Sequence, residues 1–500
     1  MKIIVQAGGR GSRLEGLTRN KPKCLVPVDN LPIIFHLFKK YREAEFLIIA
    51  DYKSPVLEKY LSVFADEYTY RIIVAKEKGT VSGIKQALNF IKNDESVFIV
   101  WSDLVLPDSL ILPEKKGNYV GIANDFLCRW SYIDKNFVKT PSRKDGVAGF
   151  FIFENKNVLK DIPQAGALVD WLKTQHIDFE RLEMHGTYEI GTLLAYERLE
   201  TNEHRCRPFN SMEISEDTVI KSPLGEYGKK IAEHEIGWYK HVKKLGYEFI
   251  PEIESYEPLV MRRVTGKNLY EYDCLTLTQK KSILKAVIHT LNELHHIEPE
   301  LPADLEALEE NYILKTFDRL KKVKDLVPFA NQEFIKINHQ YYRNVFFCKE
   351  ELKAALRAIY PKSFRLIHGD CTFSNIMFDT FNMKTVLIDP RGYFGSVKYY
   401  GAEDYDWAKL YYSIAGDYDQ FNQKKFTLDI RENDVELAIR SNNWSDIEDY
   451  FFELLPDVSK DAIKLLHAVI WLSLTTYAWE DYDSICGAFY NGLIKLGDVL

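Results

Sequence analysis

The sequence predicts an α/β fold in two successive domains, an open parallel-sheet domain followed by a two-lobed one. Three observations carry this reading. The chain has 500 residues, 46% of them hydrophobic and 28% charged, whereas single cores stop growing near about 250 to 300 residues, so one domain cannot hold it and its composition excludes disorder. The first 200 residues alternate short apolar runs with helical patterns, which is how strands covered by crossover helices read. After the polar stretch Thr201-Asn202-Glu203-His204-Arg205 that rhythm gives way to a short strand-rich segment and then to a long helical one.

In the first domain, residues 1–203, Lys2–Gln6 reads as a buried strand and Ile33–Tyr41 as a helix. Phe46–Ala50 and Arg71–Ala75 read as strands, and a helix over Val81–Ile91 leads into strand Ser96–Trp101. The second domain, residues 207–500, opens with a short strand at Asp217–Lys221, an amphipathic helix at Lys229–Lys244 and a strand at Pro258–Val264, which together predict a small lobe over 207–265. The larger lobe, 266–500, reads as mostly helical from about residue 275, interrupted by the apolar runs Arg365–His368 and Thr385–Ile388.

A formal charge of -8 argues against nucleic acid as the main partner, although local basic sites for small phosphates remain compatible with it. Seven scattered cysteines without a CxxC pair point to reduced thiols in a cytoplasm and offer no zinc site. The short apolar start Met1–Val5 lacks the features of a signal peptide. The apolar window Leu465–Trp479 contains His467 and falls short of the roughly 20 residues that span a bilayer, so it reads as a buried helix of a soluble, cytoplasmic protein with no membrane insertion. Homo-oligomerisation is left open.

Directly after the first strand comes Gly8-Gly9-Arg10-Gly11-Ser12-Arg13-Leu14, a glycine-rich turn whose backbone amides suit a phosphate chain. It is neither a dinucleotide fingerprint, which needs glycine where Leu14 stands, nor a P-loop, which needs Gly-Lys-Ser/Thr. The longer string from Ala7-Gly8-Gly9 through Pro22-Lys23-Cys24-Leu25-Val26-Pro27-Val28 to Pro32-Ile33 resembles the signature of the nucleotidyltransferases that make NDP-sugars and CDP-alcohols. The resemblance implies a Rossmann-like domain in which Gly8, Gly9, Gly11 and Ser12 wrap the nucleotide, Arg13 holds the triphosphate and Lys23 sits on the α-phosphate. Such cations stabilise charge that builds on phosphoryl oxygens in the transition state. Magnesium prefers oxygen ligands. Asp103, at the end of an apolar strand, matches the family's metal aspartate, and Glu189-Ile190-Gly191-Thr192 resembles its Asp-Ile-Gly-Thr segment with glutamate in place of aspartate, which makes Glu189 the second expected ligand. Gly79 and Thr80 lie where relatives contact the base, and N-capping of a helix by Thr80 explains the same residues.

A second constellation is His368-Gly369-Asp370, then Asn375, then Asp389. An aspartate at a turn can accept a hydroxyl proton, and an asparagine with a second aspartate can chelate magnesium on ATP phosphates, which is phosphotransferase chemistry. The string Leu366-Ile367-His368-Gly369-Asp370-Cys371-Thr372-Phe373-Ser374-Asn375-Ile376, with Leu387-Ile388-Asp389 downstream, resembles the catalytic loop and metal segment of the aminoglycoside phosphotransferase and choline kinase superfamily. A bilobal, protein-kinase-like fold is implied. Lys221 would then reach the α- and β-phosphates with Glu235 as its partner and Glu233 as a rival, and the strand holding Met261 resembles the hinge that pairs with adenine. Arg391, in Asp389-Pro390-Arg391-Gly392, departs from the choline kinase pattern; it reads equally as a holder of an anionic substrate or as a salt bridge of the lobe. Tyr405 and Trp407 could line an ammonium cage, while aromatics at helical spacing also read as core.

Together the two resemblances imply ATP-dependent phosphorylation of a small alcohol, then transfer of a nucleotidyl group to the phosphomonoester with loss of pyrophosphate. The expected partners are Mg2+, ATP, CTP and a choline- or ethanolamine-like alcohol, for a surface polysaccharide or a lipid headgroup. A sugar kinase joined to a sugar-1-phosphate nucleotidyltransferase is the alternative. A nucleotide-sensing scaffold is the non-enzymatic one, against which intact Lys23, Asp103, Asp370, Asn375 and Asp389 speak.

Overall fold

Apolar strands that are buried on both faces dictate the first architecture. The computed structural model describes residues 1–199 and 210–500; the polar stretch 201–205 read as the domain boundary, with Cys206, lies outside them. The chain divides into two compact units, Met1–Arg205 with Trp479–Asp483, and Cys206–Ala478 with Ser484–Leu500.

In the first unit, Lys2–Gln6 lies parallel between Glu45–Ala50 and Val97–Trp101, and Thr69–Val74 extends the sheet in parallel beyond Glu45–Ala50. Ile3, Ile4 and Val5 are buried, as a central strand covered on both faces requires. The parallel register sets Gln6 opposite Trp101, so the glycine loop and Asp103 both leave the sheet at its carboxyl edge, where open α/β sheets bind ligands. The sheet is mixed, not parallel throughout. Gly146–Phe153 runs antiparallel to both Val97–Trp101 and Tyr119–Ala123. The helix expected over Val81–Ile91 shrinks to Ile84–Ala87 and one 3-10 turn at Leu88–Phe90, because Gly79 and Gly83 take left-handed φ of +100° and +81° and hold the chain in turns up to Ile84.

The second unit begins with a four-stranded sheet ordered Asn210–Ile214, Thr218–Pro223, Leu259–Arg262, Ile253–Tyr256, against which helix Gly225–Lys244 packs its buried Glu235, Trp238 and Tyr239. Further on, the hairpin Ile376–Asp379 and Lys384–Leu387 pairs with Lys267–Asn268, and its second strand delivers the chain to Asp389. Helices Leu277–His296, Glu403–Ile414 and Lys460–Leu474 carry much of the core. To the mostly helical lobe that the sequence predicts the structure adds a second four-stranded sheet, Gln340–Arg343, Phe334–Ile337, Val435–Ile439 and Phe426–Ile430. Its first hairpin turns through Asn338 and His339, both at positive φ, the conformation that a two-residue hairpin loop demands. Among the described residues no helix is long and apolar enough to cross a membrane; His467, within Lys460–Leu474, is buried and accepts a hydrogen bond at its Nε2 from Trp471 Nε1 at 3.0 Å.

Trp479–Asp483 grouping with the first unit is not signalled by the sequence. Lys21 is 2% exposed there, 2.9 Å from Asp481 Oδ1 and hydrogen-bonded to Asp483, while Asn20 Nδ2 donates to the same Asp483 carboxylate. Burial opposes the ammonium, and the two carboxylates outweigh it and hold its pKa above the usual lysine range. Removing one partner of such a buried set costs about 3–5 kcal/mol. Lys21→Met is therefore expected to lower the melting temperature of the full chain but to raise that of a fragment ending at residue 203, which lacks both carboxylates; melting curves of the four proteins check the reversal of sign.

Candidate active sites

The loop after Lys2–Gln6 is shaped by Gly11, at φ +64°, where a Cβ would come within 2.9 Å of Thr18 Cγ2 and 3.2 Å of Lys23 Cβ. Only glycine lets the loop close over Lys23 in this way. Among the described residues the backbone amides of Gly8, Gly9, Arg10 and Gly11 donate no hydrogen bond, which leaves four donors of a glycine-rich turn available for phosphate oxygens. Lys23 stands 2.5 Å from Asp103 Oδ2, both side chains largely buried. The other oxygen, Asp103 Oδ1, is buried and unpartnered.

Glu189 reaches the same place from a different element. Tyr188–Glu189 pairs antiparallel with Leu104–Val105, and Ile190 N–H donates to Asp103 O at 2.8 Å. Gly191 carries no Cβ where Glu189 Oε1 would lie 2.1 Å away, so the longer side chain can fold back beside Asp103. Arg13, more than half exposed, approaches Glu189 Oε1 at 4.0 Å. Burial and the neighbouring Asp103 push the Glu189 pKa up, against Lys23 and Arg13, and burial with the same two carboxylates drives the Cys128 thiol up to about 12. Two carboxylates facing each other, one with an orphaned oxygen, fit a divalent cation that completes its shell with phosphate and water; among the described residues no larger His/Cys/Asp/Glu cluster is present. Thr80 Oγ1 accepts from Leu168 N at 2.8 Å, so its capping role concerns helix Leu168–Lys173 and not the segment that follows it.

In the second unit Lys221 Nζ meets both oxygens of Glu235, at 2.9 and 2.7 Å, and Asp389 Oδ1 at 2.8 Å; the rival Glu233 is not a partner. Burial disfavours this ammonium, but Asp389 and Glu235 together raise its pKa, and Lys221 in turn holds Asp389 below the usual range against burial. Asp389 itself takes φ +54°. Asp370 is held from both sides. Lys409 Nζ lies 2.9 Å from its Oδ1, and Asn375 Nδ2 donates to its backbone oxygen at 2.7 Å and to Oδ2 at 3.2 Å, leaving Asn375 Oδ1 unused among the described residues. Burial works against the Asp370 carboxylate, yet Lys409 keeps its pKa below the ordinary value. His368 is buried and its pKa is lowered by that burial; its Nε2–H donates to Ile388 O at 2.9 Å and its Nδ1 accepts from Asp370 N at 3.2 Å, which defines the tautomer of a neutral ring.

Two family models match the chain, nucleotidyl transferase over residues 2–112 and the phosphotransferase enzyme family over residues 219–391. The chain is a nucleotidyl transferase domain followed by a phosphotransferase-family domain. The transferase domain is 30% identical over 113 residues to the bifunctional protein GlmU of Methanococcus maripaludis, covering 22% of this chain and 26% of that protein. It is 33% identical over 104 residues to the D-glycero-alpha-D-manno-heptose 1-phosphate guanylyltransferase of Campylobacter jejuni, covering 19% and 46%. The chain thus spans between a quarter and a half of these relatives' length. A putative glucose-1-phosphate thymidylyltransferase from Bacillus anthracis superposes with a TM-score of 0.34 at 20% identity over 40% of this chain and 93% of that one.

Three placements in the phosphotransferase domain differ from expectation. Met261 is mid-strand, facing Val219 on one side and Ile253 on the other, so its backbone is enclosed by the sheet; the chain leaves the sheet only after Arg262. Trp407 is 1% exposed and packs edge-on to His295, which makes it core. Tyr405 is at the site, but its hydroxyl lies 3.3 Å from Arg391 Nη1 and two lysines approach its ring, the reverse of an ammonium cage. The string Asp404-Tyr405-Asp406-Trp407-Ala408-Lys409-Leu410 resembles, in the sequence alone, the superfamily helix that carries a structural aspartate; which aspartate that is, and the part played by Lys409, come from the structure. Asp406 Oδ2 and Oδ1 accept from the backbone N–H of His368 at 2.8 Å and Gly369 at 2.7 Å, and Lys409 sits one helical turn later on the same face, a spacing that was readable once a structural aspartate was placed on that helix.

A carboxylate whose folded-state pKa is raised gives up stability as pH rises through the ordinary glutamate range, and the deficit persists at neutral pH. Glu189→Gln is accordingly expected to raise the melting temperature at neutral pH in EDTA. Mg2+ with nucleotide should stabilise the parent protein and not the variant, as thermal melts with and without the ion will show.

Proposed function

We propose that the two domains carry out consecutive reactions. At the Asp370 site the γ-phosphoryl group of ATP passes to the hydroxyl of a small polar alcohol; at the Lys23 site the resulting phosphomonoester attacks the α-phosphorus of CTP and pyrophosphate leaves. The observation that carries this reading is the pair of preassembled lysine–carboxylate centres in one chain, Lys23 with Asp103 and Lys221 with Glu235 and Asp389. A kinase product is the acceptor that a nucleotidyl transferase needs.

In the phosphotransferase domain, Asp370 is placed to orient the hydroxyl and take its proton late, as suits a loose transition state and a carboxylate of depressed pKa. Lys221 binds the α- and β-phosphates, with Glu235 holding its ammonium in place. Asn375 Oδ1 and Asp389 are the groups that would hold Mg2+ there, as Asp103 and Glu189 would in the transferase domain; bound Mg2+ supplies neutralisation of phosphate charge. The amides of Gly8 to Gly11 cradle the nucleotide phosphates, Arg13 closes over the triphosphate and Lys23 stabilises charge on the α-phosphoryl oxygens. A second reading, a sugar kinase feeding a sugar-1-phosphate nucleotidyltransferase, is favoured by the heptose 1-phosphate guanylyltransferase among the relatives.

Mass spectrometry of products from ATP, an alcohol panel and each NTP tests the scheme, with a CDP-alcohol as the expected conjugate. Asp370→Asn should abolish phosphorylation of the alcohol by about 10³-fold or more and leave nucleotidyl transfer to a supplied phosphomonoester near the parent rate. Lys23→Ala should do the opposite. Loss of both activities in either folded variant would show a single shared site.

A further inference from the structure

The phosphotransferase site contains more positive charge than ATP binding accounts for. Lys221 is committed to Glu235 and Asp389. Four further cations come from three elements: Lys409 on helix Glu403–Ile414, Arg391 after the metal segment and Lys315 act on Asp370, and Arg319, four residues from Lys315 on one helical face, acts on Arg391 and Lys315. Lys409 pairs with Asp370. The other three have no carboxylate partner among the described residues: Arg391 Nη1 meets Tyr405 Oη at 3.3 Å and its guanidinium lies 4.5 Å from the Tyr393 ring centre, Lys315 donates to Asn311 Oδ1, and Arg319 Nη1 donates to Ser473 O at 2.7 Å.

These groups share one space. Lys315 Nζ and Lys409 Nζ lie 5.5 and 5.9 Å from the same Tyr405 ring whose hydroxyl holds Arg391. Burial, then Arg391, Arg319 and Lys409, depress the Lys315 pKa well below the lysine range, with Asp370 opposing them. Burial and Arg391 likewise lower Arg319. Against burial, Arg391 is held above its usual range by Tyr405, Tyr393 and Asp370, whereas Lys315 and Arg319 are left short of compensating charge, a cost that an added anion would offset. Lys315 is also set in place by an unusual element, the wide π-helical turn Glu309–Leu314 immediately before it, a device that recurs at functional sites.

We infer that the alcohol phosphorylated at Asp370 carries its own anionic group, a carboxylate or a phosphate, which Arg391 and Lys315 bind while its hydroxyl faces Asp370. This rests on the kinase reading above and replaces the choline- or ethanolamine-like alcohol with an acidic one. Among the described residues Arg391 makes no ion pair with a carboxylate, Asp370 acting on it only at longer range, and a guanidinium so placed repels a cationic alcohol. The balance of the step is unchanged: the hydroxyl oxygen bonds to the γ-phosphorus, the bond from that phosphorus to the β,γ-bridging oxygen breaks to release ADP, and the hydroxyl proton passes to Asp370. The product bears two anionic groups, one of which becomes the acceptor for nucleotidyl transfer.

The experiment measures ADP release by the full chain with glycerate, glycerol 3-phosphate, glycerol and choline, each at saturating ATP and Mg2+. The expected result is a kcat/KM for glycerate or glycerol 3-phosphate about 10²-fold or more above glycerol and choline, and which of the two is preferred tells carboxylate from phosphate. Arg391→Gln and Lys315→Met should each erase that preference, cutting kcat/KM for the preferred anion about 10²-fold while leaving the KM for ATP within about threefold. Arg391→Lys should restore part of it, and Asp370→Asn should keep the rise in melting temperature on adding the preferred anion while losing turnover. Glycerol or choline used as well as both anions, with Asp370-dependent turnover, would overturn the inference and leave the kinase standing. An increase in the ATP KM shared by all alcohols in Arg391→Gln would place the cations on the nucleotide and overturn it too. Absence of Asp370-dependent ADP release with every alcohol would remove the kinase reading and the inference together.

Discussion

The phosphotransferase domain depends on one buried carboxylate. Asp406 is inaccessible to solvent, yet it accepts hydrogen bonds from the backbone of His368 and Gly369 and from His295 Nε2 at 3.1 Å, and its own backbone oxygen accepts from Cys371 Sγ. These bonds keep its pKa low in spite of burial. A charge-assisted bond to backbone N–H is about twice as strong as a neutral one, so the loop that presents Asp370 is anchored through its main chain, and the side chains of His368 and Asn375 then brace it. The same helix then places Lys409 against Asp370. One element therefore sets both the position and the protonation of Asp370.

A common electrostatic logic runs through both units. In each, a lysine suited to phosphate rests on acidic groups that are themselves suited to a cation: Lys23 on Asp103, Lys221 on Asp389. Ionic charges that would be expensive alone in a partly buried cleft neutralise one another in the absence of ligand. A nucleotide arriving with its cation matches both signs at once, so ion pairs are exchanged and no bare charge is exposed. Free nucleotide without the cation meets only half of that complement.

Legibility in the sequence followed the range over which each feature is determined. The strands Lys2–Gln6, Glu45–Ala50 and Val97–Trp101 read correctly to within a residue because their apolar runs are dictated by burial on both faces. The glycine loop, Lys23, Asp103, Asp370 and Asn375 were visible because their spacing along the chain is itself the motif; within the first unit Lys23 lies against Asp103, and within the second Asn375 lies against Asp370. What was not visible depends on distant partners. The hairpin at Asn338-His339 was hidden inside a stretch read as helical, Trp407 could not be told from a ligand-facing aromatic until His295 was seen against it, and the cations Lys315 and Arg319 sit some 50 residues before the loop they adjoin. The grouping of Trp479–Asp483 with the first unit has no local signal at all, since Asp481 and Asp483 read as solvent-facing acids unless Lys21, more than 400 residues earlier, is known to be buried.

The wide turn Glu309–Leu314 sets how this pocket can diverge. An extra residue accommodated within a helix shifts the phase of everything after it, by about 100° per residue. Loss of one residue in the turn would rotate Lys315 and Arg319 away from Arg391, and would turn the buried Phe317, Leu320 and Val323 of the same helix with them. Chain length at this turn therefore binds the direction of two cations to the packing of the helix that carries them, so neither can change alone.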